Sequence, residues 1–424
     1  MLPKLIKKSF GAYGMNKKSA FRHVAVKTAA LLICFGAFAF CHTPAMMELR
    51  RIPGTIYAES ETELYEKLGE YSSGGLVIAA SVSGGDSLGG RKLALSLPSG
   101  IKVGEITAFV GERPRVVPGG EPVGVSIYTE GVLVVGLSDF KTAEGKRASP
   151  AADAGLKPGD VIMSVSGKLI STSEELTAAL SGQEPAELMI DRGGKRSLVT
   201  VCPQTDEKGS LRIGAWVRDS TVGIGTLTFL DPESGAAAAL GHPVADADTG
   251  SLLKVRDGRL VQALVVGVTK GLQGAPGELH GSFGPKSPAI AKIRSNTELG
   301  IFGDTEPGAA SLITGEAVEI AFPDEVRRGE AVILCAASGS VEEYSCVIRS
   351  VSRQSSPEEK GLVIEITDER LISLTGGVVQ GMSGSPIIQG GRLVGAVTHV
   401  FVNDPLKGYG AYAYWMYLKA REEG

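Results

Sequence analysis

Beyond residue 206 the chain is a succession of short apolar segments broken by turns. That spacing restricts the possible folds more than any single residue does. Segments at 260–268, 313–322, 331–336, 344–351, 361–366 and 393–402 have strand length and are separated by stretches rich in turn-forming residues. The stretch WVRDSTVGIGTLTF, residues 216–229, alternates apolar and polar side chains for much of its length, the period of a strand with one buried face. Helical periodicity is scarce before 412–421, which reads as a closing helix. Many short strands with abundant glycine, 57 of 424 residues, point to an antiparallel barrel or sandwich. The length suggests about three domains.

The N-terminus differs in kind. Residues 1–27 carry Lys4, Lys7, Lys8, Lys17, Lys18, Arg22 and Lys27 and no acid, and the apolar run TAALLICFGAFAFC follows at 28–41. A basic lead before a short apolar core predicts a secretory signal or signal-anchor helix, assigned to residues 1–48. A small β-rich region at 49–115 follows. The mature chain is expected outside the cytoplasm, membrane-anchored through this segment until it is cleaved. A net charge of −4 gives no footing for nucleic acid. The five cysteines show no metal spacing. Cys335 and Cys346 flank a Gly/Ser turn, where they could face each other across a hairpin, and export would permit a disulfide; free buried thiols are the alternative.

Residues 116–205 carry a second pattern. SPAADAGLKPGD at 149–160 gives a short helix and a turn, a strand follows at 161–167, and SEELTAAL at 173–180 is a helix with acids in its first turn, where they suit the helix dipole. The AGLKPGDVI core resembles that of a PDZ domain. The resemblance implies peptide binding by strand addition, with loop amides holding a C-terminal carboxylate. Val123, Gly124, Val125 and Ser126 are the candidate loop. Peptide C-termini, or the chain's own N-terminal segment, are the expected ligands.

The chemistry concentrates in TGGVVQGMSGSPII at 375–388. A serine among glycines before an apolar run marks a sharp turn that exposes one hydroxyl. Ser383 is the candidate nucleophile, the amides of Gly381 and Ser383 the candidate oxyanion hole, and Ser385, beside Pro386, a structural residue. A serine needs a base, and the base an orienting group. Of the five histidines, His23 and His42 belong to the leader. His280 lies in a glycine-rich loop. His399 follows the serine within a strand and is either an alternative base or a residue facing substrate or the core. His242, in Gly241-His242-Pro243, precedes the serine and is the preferred base. A metal site with Asp246 and Asp248 lacks a third ligand, and no cofactor is called for. On residue type and position alone, Asp368, Asp246 and Asp248 stay level as the orienting acid.

Four stretches carry a closer resemblance: WVRDSTVGIGTLTF, ALGHPVADADTG, NTELGIFG at 296–303, and the run from Thr375 to Gly410. With them the chain resembles the stage IV sporulation protein B peptidases of endospore-forming bacteria, over nearly everything after the leader. The resemblance implies a mainly β chain: an N-terminal signal-anchor helix, a PDZ domain at 116–205 and a chymotrypsin-like β-barrel serine peptidase domain at 206–424. It implies His242, Asp368 and Ser383 as the catalytic set. That puts the acid near the serine in sequence, whereas the usual two-barrel peptidase carries it on the first barrel. It also implies export from the forespore to the intermembrane space, self-cleavage near the N-terminus, and cleavage of a membrane-bound regulator, stage IV sporulation protein FA, which triggers intramembrane processing of pro-sigma-K. An HtrA-type quality-control peptidase and a non-catalytic PDZ adaptor are the rival expectations.

Overall fold

The computed structural model describes residues 52–422, apart from 53, 72–81, 86–89, 97–99, 112, 182–184, 314, 353 and 355–356. The chain is mainly β, 51% strand and 13% helix. The expected signal-anchor helix at 1–48 lies outside the described residues. Among the described residues no helix is long and apolar enough to cross a membrane.

The chain divides into two compact units, residues 1–111 and 112–424. In the first, β1 (Thr55–Ala58), helix α1 (Glu61–Tyr71), β2 (Val82–Gly85), β3 (Arg91–Ser96) and β4 (Lys102–Val110) form a small layer. Its sheet runs β1-β4-β3-β2. Leu64 and Leu68 of α1 share a core with Ile56, Leu93 and Ile106.

Among the described residues, the second unit has three cores. It opens with β5 (Arg115–Pro118) and the long β6 (Pro122–Leu137), then the hairpin of β7 (Phe140–Lys141) and β8 (Arg147–Ala148). Next come α2 (Pro150–Asp153), β9 (Val161–Val165), β10 (Lys168–Leu169), α3 (Ser173–Leu180), β11 (Ala186–Arg192) and β12 (Lys195–Val201). The short β13 (Gln204–Thr205) and β14 (Leu211–Arg212) lead into a second long strand, β15 (Ala215–Leu230). The second half of β6, with β9, β11, β12 and α3, encloses the PDZ core of Val132, Ile162, Leu176, Leu188, Ile190 and Ile213. The cap of α3 is Thr172, whose side chain accepts from the Glu175 amide.

The first barrel adds β16 (Ala236–Ala239), β17 (Val255–Gln262), the hairpin β18 (Leu264–Thr269) and β19 (Glu278–Ser282), β20 (Ala289–Thr297) and β21 (Gly300–Thr305). Its strands run β6-β17-β20-β21-β16-β15, and β15 pairs back onto β6, which closes the ring. After β22 (Val318–Glu319) comes the second barrel: β23 (Gly329–Cys335), β24 (Glu342–Val351), β25 (Leu362–Ile366), helix α4 (Glu369–Thr375), β26 (Pro386–Gln389), β27 (Arg392–Val400) and β28 (Lys407–Tyr412), then helix α5 (Ala413–Glu422). It closes in the order β23-β24-β25-β28-β27-β26.

Two expectations are corrected here. Val123, Gly124, Val125 and Ser126 are not a carboxylate-binding loop. They lie at the start of β6 in the first barrel, paired on one side with residues 222–225 of β15 and on the other with residues 259–262 of β17. Both edges of that strand are taken, so it has no room for an added peptide. Gly124 is required by packing, because a Cβ there would stand 2.4 Å from the Phe283 ring. Cys335 and Cys346 do not oppose each other. The β23–β24 register sets Cys335 across from Glu342 and Cys346 across from Ala331, and both are free, buried thiols that burial pushes up to about 12.

Candidate active site

The predicted serine and histidine lie in one cleft. The cleft, about 620 Å³, is lined by Thr221–Ile224 of β15, by Leu240 and residues 242–245 after β16, and by Gly381, Ser383, Thr398 and His399 from the second barrel.

The serine turn is held from two sides. On the first barrel, the Thr226 amide donates to the Ser383 carbonyl at 2.8 Å. The hydroxyls of Thr226 and Thr228 donate to the carbonyls of Gly381 (2.8 Å) and Gly384 (2.9 Å). On the other side, the amides of Gln380 and Leu279 donate to the carbonyls of Gly277 and Gln380, tying β19 to the turn. Gly381 and Gly384 hold φ of +90° and +99°, a region that favours glycine. A Cβ on Gly384 would meet the Thr226 carbonyl oxygen at 2.0 Å.

The amides around the serine divide cleanly. Those of Met382, Gly384 and Ser385 donate to the carbonyls of Val379, Val397 and Met382. Among the described residues, the amides of Gly381 and Ser383 donate to none, so the two predicted oxyanion donors are unspent. The Ser383 hydroxyl donates to the Thr398 carbonyl at 2.7 Å, so in this resting geometry its proton is directed away from His242. Ser385 is fully buried.

His242 follows an unusual turn. Leu240 and Gly241 both have positive φ, +73° and +71°. A leucine in the left-handed region carries backbone strain of about 1–3 kcal/mol. His242 Nδ1 lies 2.9 Å from the Pro243 carbonyl oxygen. A carbonyl only accepts, so Nδ1 carries the proton and Nε2 presents a lone pair. Burial pushes the imidazole below its ordinary pKa, opposed in part by the Pro243 carbonyl and by the charge of Glu359. His399 stacks on it, ring centroids 4.8 Å apart.

The third predicted residue is not brought to the other two. Asp368 caps α4: its side chain accepts from the Arg370 amide at 2.9 Å and from the Ser345 amide at 3.2 Å. Arg370 also reaches back with Nε and Nη2 at 3.1 and 2.9 Å, and chiefly this pairing holds the carboxyl down at about 2. Its acceptor positions are thereby filled. The pattern was readable, since an Asp directly before a helical run is a capping signal. Asp246 and Asp248 are engaged too. Asp246 is buried, takes both the amide and the hydroxyl of Thr249, and pairs with Arg218, as does Asp248 at 2.9 Å. These acids pin the loop after His242 to β15 and make no hydrogen bond to the imidazole. His280 stands apart on the β18–β19 hairpin, bonded to Thr269.

The comparisons with known proteins agree with this architecture. Residues 209–417 match the family model described as SpoIVB peptidase S55, and residues 142–191 match a PDZ domain model. The chain belongs to the SpoIVB peptidase family. It carries a SpoIVB-type peptidase domain and a PDZ domain in one chain. Serine protease HTRA1 of Xenopus laevis is 37% identical over 59 residues, which are 14% of this chain and 13% of that protein. The chain thus spans about an eighth of that curated relative. The crystal structure of the PDZ domain of the SdrC-like protein from Listeria monocytogenes is 24% identical. The match covers 21% of this chain and 87% of that one, with a TM-score of 0.18.

The structure also shows the PDZ edge that sequence reading missed. Helix α3 lies against β14 and the first half of β15, and both the amide and the hydroxyl of Ser173 donate to Asp219 of β15, at 2.7 and 3.0 Å. Residues 215–226 of β15 pair with β6 on one edge. Among the described residues, the opposite edge has strand partners only from residue 227 onward.

Proposed function

We propose that this chain is an exported endopeptidase of sporulation signalling that cleaves itself near its N-terminus and then a membrane-bound regulator of the stage IV sporulation protein FA type. That second cleavage releases intramembrane processing of pro-sigma-K. The observation that carries the chemistry is the meeting of Ser383, His242 and two unspent amides in one cleft. Ser383 rotates from the Thr398 carbonyl to His242 Nε2 and attacks the scissile carbonyl. His242 takes the proton and returns it to the leaving amine. The amides of Gly381 and Ser383 hold the oxyanion. The Pro243 carbonyl fixes the imidazole tautomer, and the negative charge of Glu359 favours the imidazolium that forms. Asp368 acts one step removed, by capping the helix that runs into the serine turn.

The PDZ ligand adds along the unpaired edge of β15 at residues 215–219, between that strand and α3. The chain's own N-terminal segment or a peptide C-terminus is the expected occupant. The deciding experiment maps the N-terminus of the mature protein beside that of its Ser383→Ala form, in membranes. Processing is expected in the first and absent in the second. Processing that persists in Ser383→Ala overturns the nucleophile. Robust, indiscriminate digestion of casein would instead favour quality control over signalling.

A further inference from the structure

Among the described residues, two buried polar atoms of the catalytic cleft have no partner. One is Nδ1 of His399, on β27 of the second barrel; the other is Oγ1 of Thr221, on β15 of the first. A buried polar group left unpaired loses the hydrogen bonds it would make to water, and such groups are rare in folded proteins. Around them the wall is apolar: Val378, Val379, Val400 and Val402 line the same cleft. An apolar cleft with a few convergent polar atoms is the usual form of a specificity pocket. His399 Nδ1 takes no bond from His242: the two rings are tilted by 38° with centroids 4.8 Å apart, and His242 Nδ1 is spent on Pro243.

We infer that His399 and Thr221 are specificity-determining residues that together read a hydrogen-bonding, uncharged side chain of the substrate beside the scissile bond. When such a side chain enters, both atoms regain a partner. An apolar side chain leaves both unpaired, and a site built this way rejects it strongly. A charged side chain is disfavoured because desolvating it among these apolar walls is costly. Asn, Gln, Ser and Thr are the residues that fit. The location agrees: Thr398, the neighbour of His399, holds the resting Ser383 hydroxyl, so His399 stands one residue from the nucleophile's anchor.

The inference rests on the serine peptidase reading, and the test keeps the two apart. A peptide library with varied residues on both sides of the scissile bond is digested, and cleavage sites are mapped by mass spectrometry. Rates are normalised to active sites counted by fluorophosphonate labelling. The wild-type chain is expected to favour Asn, Gln, Ser or Thr at one subsite. Thr221→Val and His399→Phe each keep shape and lower the polar-to-apolar ratio of kcat/KM at that subsite at least tenfold, mainly through KM. His399→Asn, whose amide overlaps the Nδ1 position, keeps the ratio within about threefold. An apolar wild-type preference at every subsite, or an equal loss on all peptides in both variants, overturns the inference. Failure of the fluorophosphonate to label Ser383 overturns the peptidase reading instead. Thermal unfolding of each variant in a Ser383→Ala background identifies a variant that merely fails to fold, and Thr221→Ser then takes the place of Thr221→Val with an unchanged ratio expected.

Discussion

At the residue scale, the two stacked imidazoles set the pH behaviour. Burial lowers both, and the charge of His242 lowers His399 further; Glu359 raises both, and Lys360 lowers His399. The folded state therefore holds them neutral where the unfolded chain, with histidine near about 6.5, binds protons. That stability is present above the unfolded value and is lost as pH falls through it. In the Ser383→Ala protein, stability is expected to fall from pH 7.5 to 5 by up to about 1.4 kcal/mol per pH unit per histidine. The kcat/KM profile is expected to keep its plateau to an apparent pKa below about 6.5. A plateau that ends above that value contradicts the burial argument. Asp368 makes a different prediction. Its loss removes the cap of α4, so Asp368→Ala should destabilise the protein by about 1 kcal/mol, seen as a shifted urea midpoint. A purely orienting acid would leave that midpoint in place. Ser383, Gly381 and His242 were legible because glycine freedom around a serine, and a histidine set in a Gly-His-Pro turn upstream of it, are local signals. The acid was not, since three carboxylates have the same residue type and only their partners, Arg370 and Arg218, tell them apart.

At the element scale, β15 does the organising. One end lies beside α3 in the PDZ domain, the middle lines the cleft, and the far end clamps the serine turn through Thr226 and Thr228. Its sequence announced a strand by alternation, but its length hid the fact that one strand serves two cores. Ile213, just before it, belongs to the PDZ core, while Leu227 and Leu230 belong to the first barrel. The clamp can be tested directly. Gly384→Ala asks for a methyl 2.0 Å from the Thr226 carbonyl oxygen at a φ of +99°. It should cost about 1–3 kcal/mol and at least a hundredfold in fluorophosphonate labelling of Ser383. Thr228→Val, which leaves the shape and removes one buried hydrogen bond to the Gly384 carbonyl, should cost about 1–2 kcal/mol with a smaller loss of labelling. If both variants label like the parent, the clamp does not position the nucleophile.

At the scale of the whole molecule, the PDZ and peptidase parts are not beads on a string. The motif order suggested a cut near residue 205, because AGLKPGDVI and the serine run are each complete on their own side. Pairing ignores that cut. The first half of β6, Val123 to Tyr128, is a stave of the first barrel, and Val123, Val125 and Ile127 sit in its core. Only the second half of β6 reaches the PDZ core, through Val132 and Val134. Long-range pairing of this kind leaves little local trace, which is why the PDZ fold was legible and its boundary was not. A fragment of residues 206–424 should therefore fail as an isolated peptidase. It lacks one of the six strands that close the first barrel and three buried aliphatic side chains worth about 1.5–3 kcal/mol each, a loss comparable to the whole stability of an ordinary domain. It also leaves β15 with an open edge where β6 stood, a template for aggregation. A fragment of residues 113–424 keeps both long strands and should give a cooperative unfolding transition and a Ser383 that labels. A 206–424 fragment that unfolds cooperatively and labels equally well would mean that β6 belongs to the PDZ domain alone, and that the strand continuity joining ligand site to catalytic cleft carries no weight.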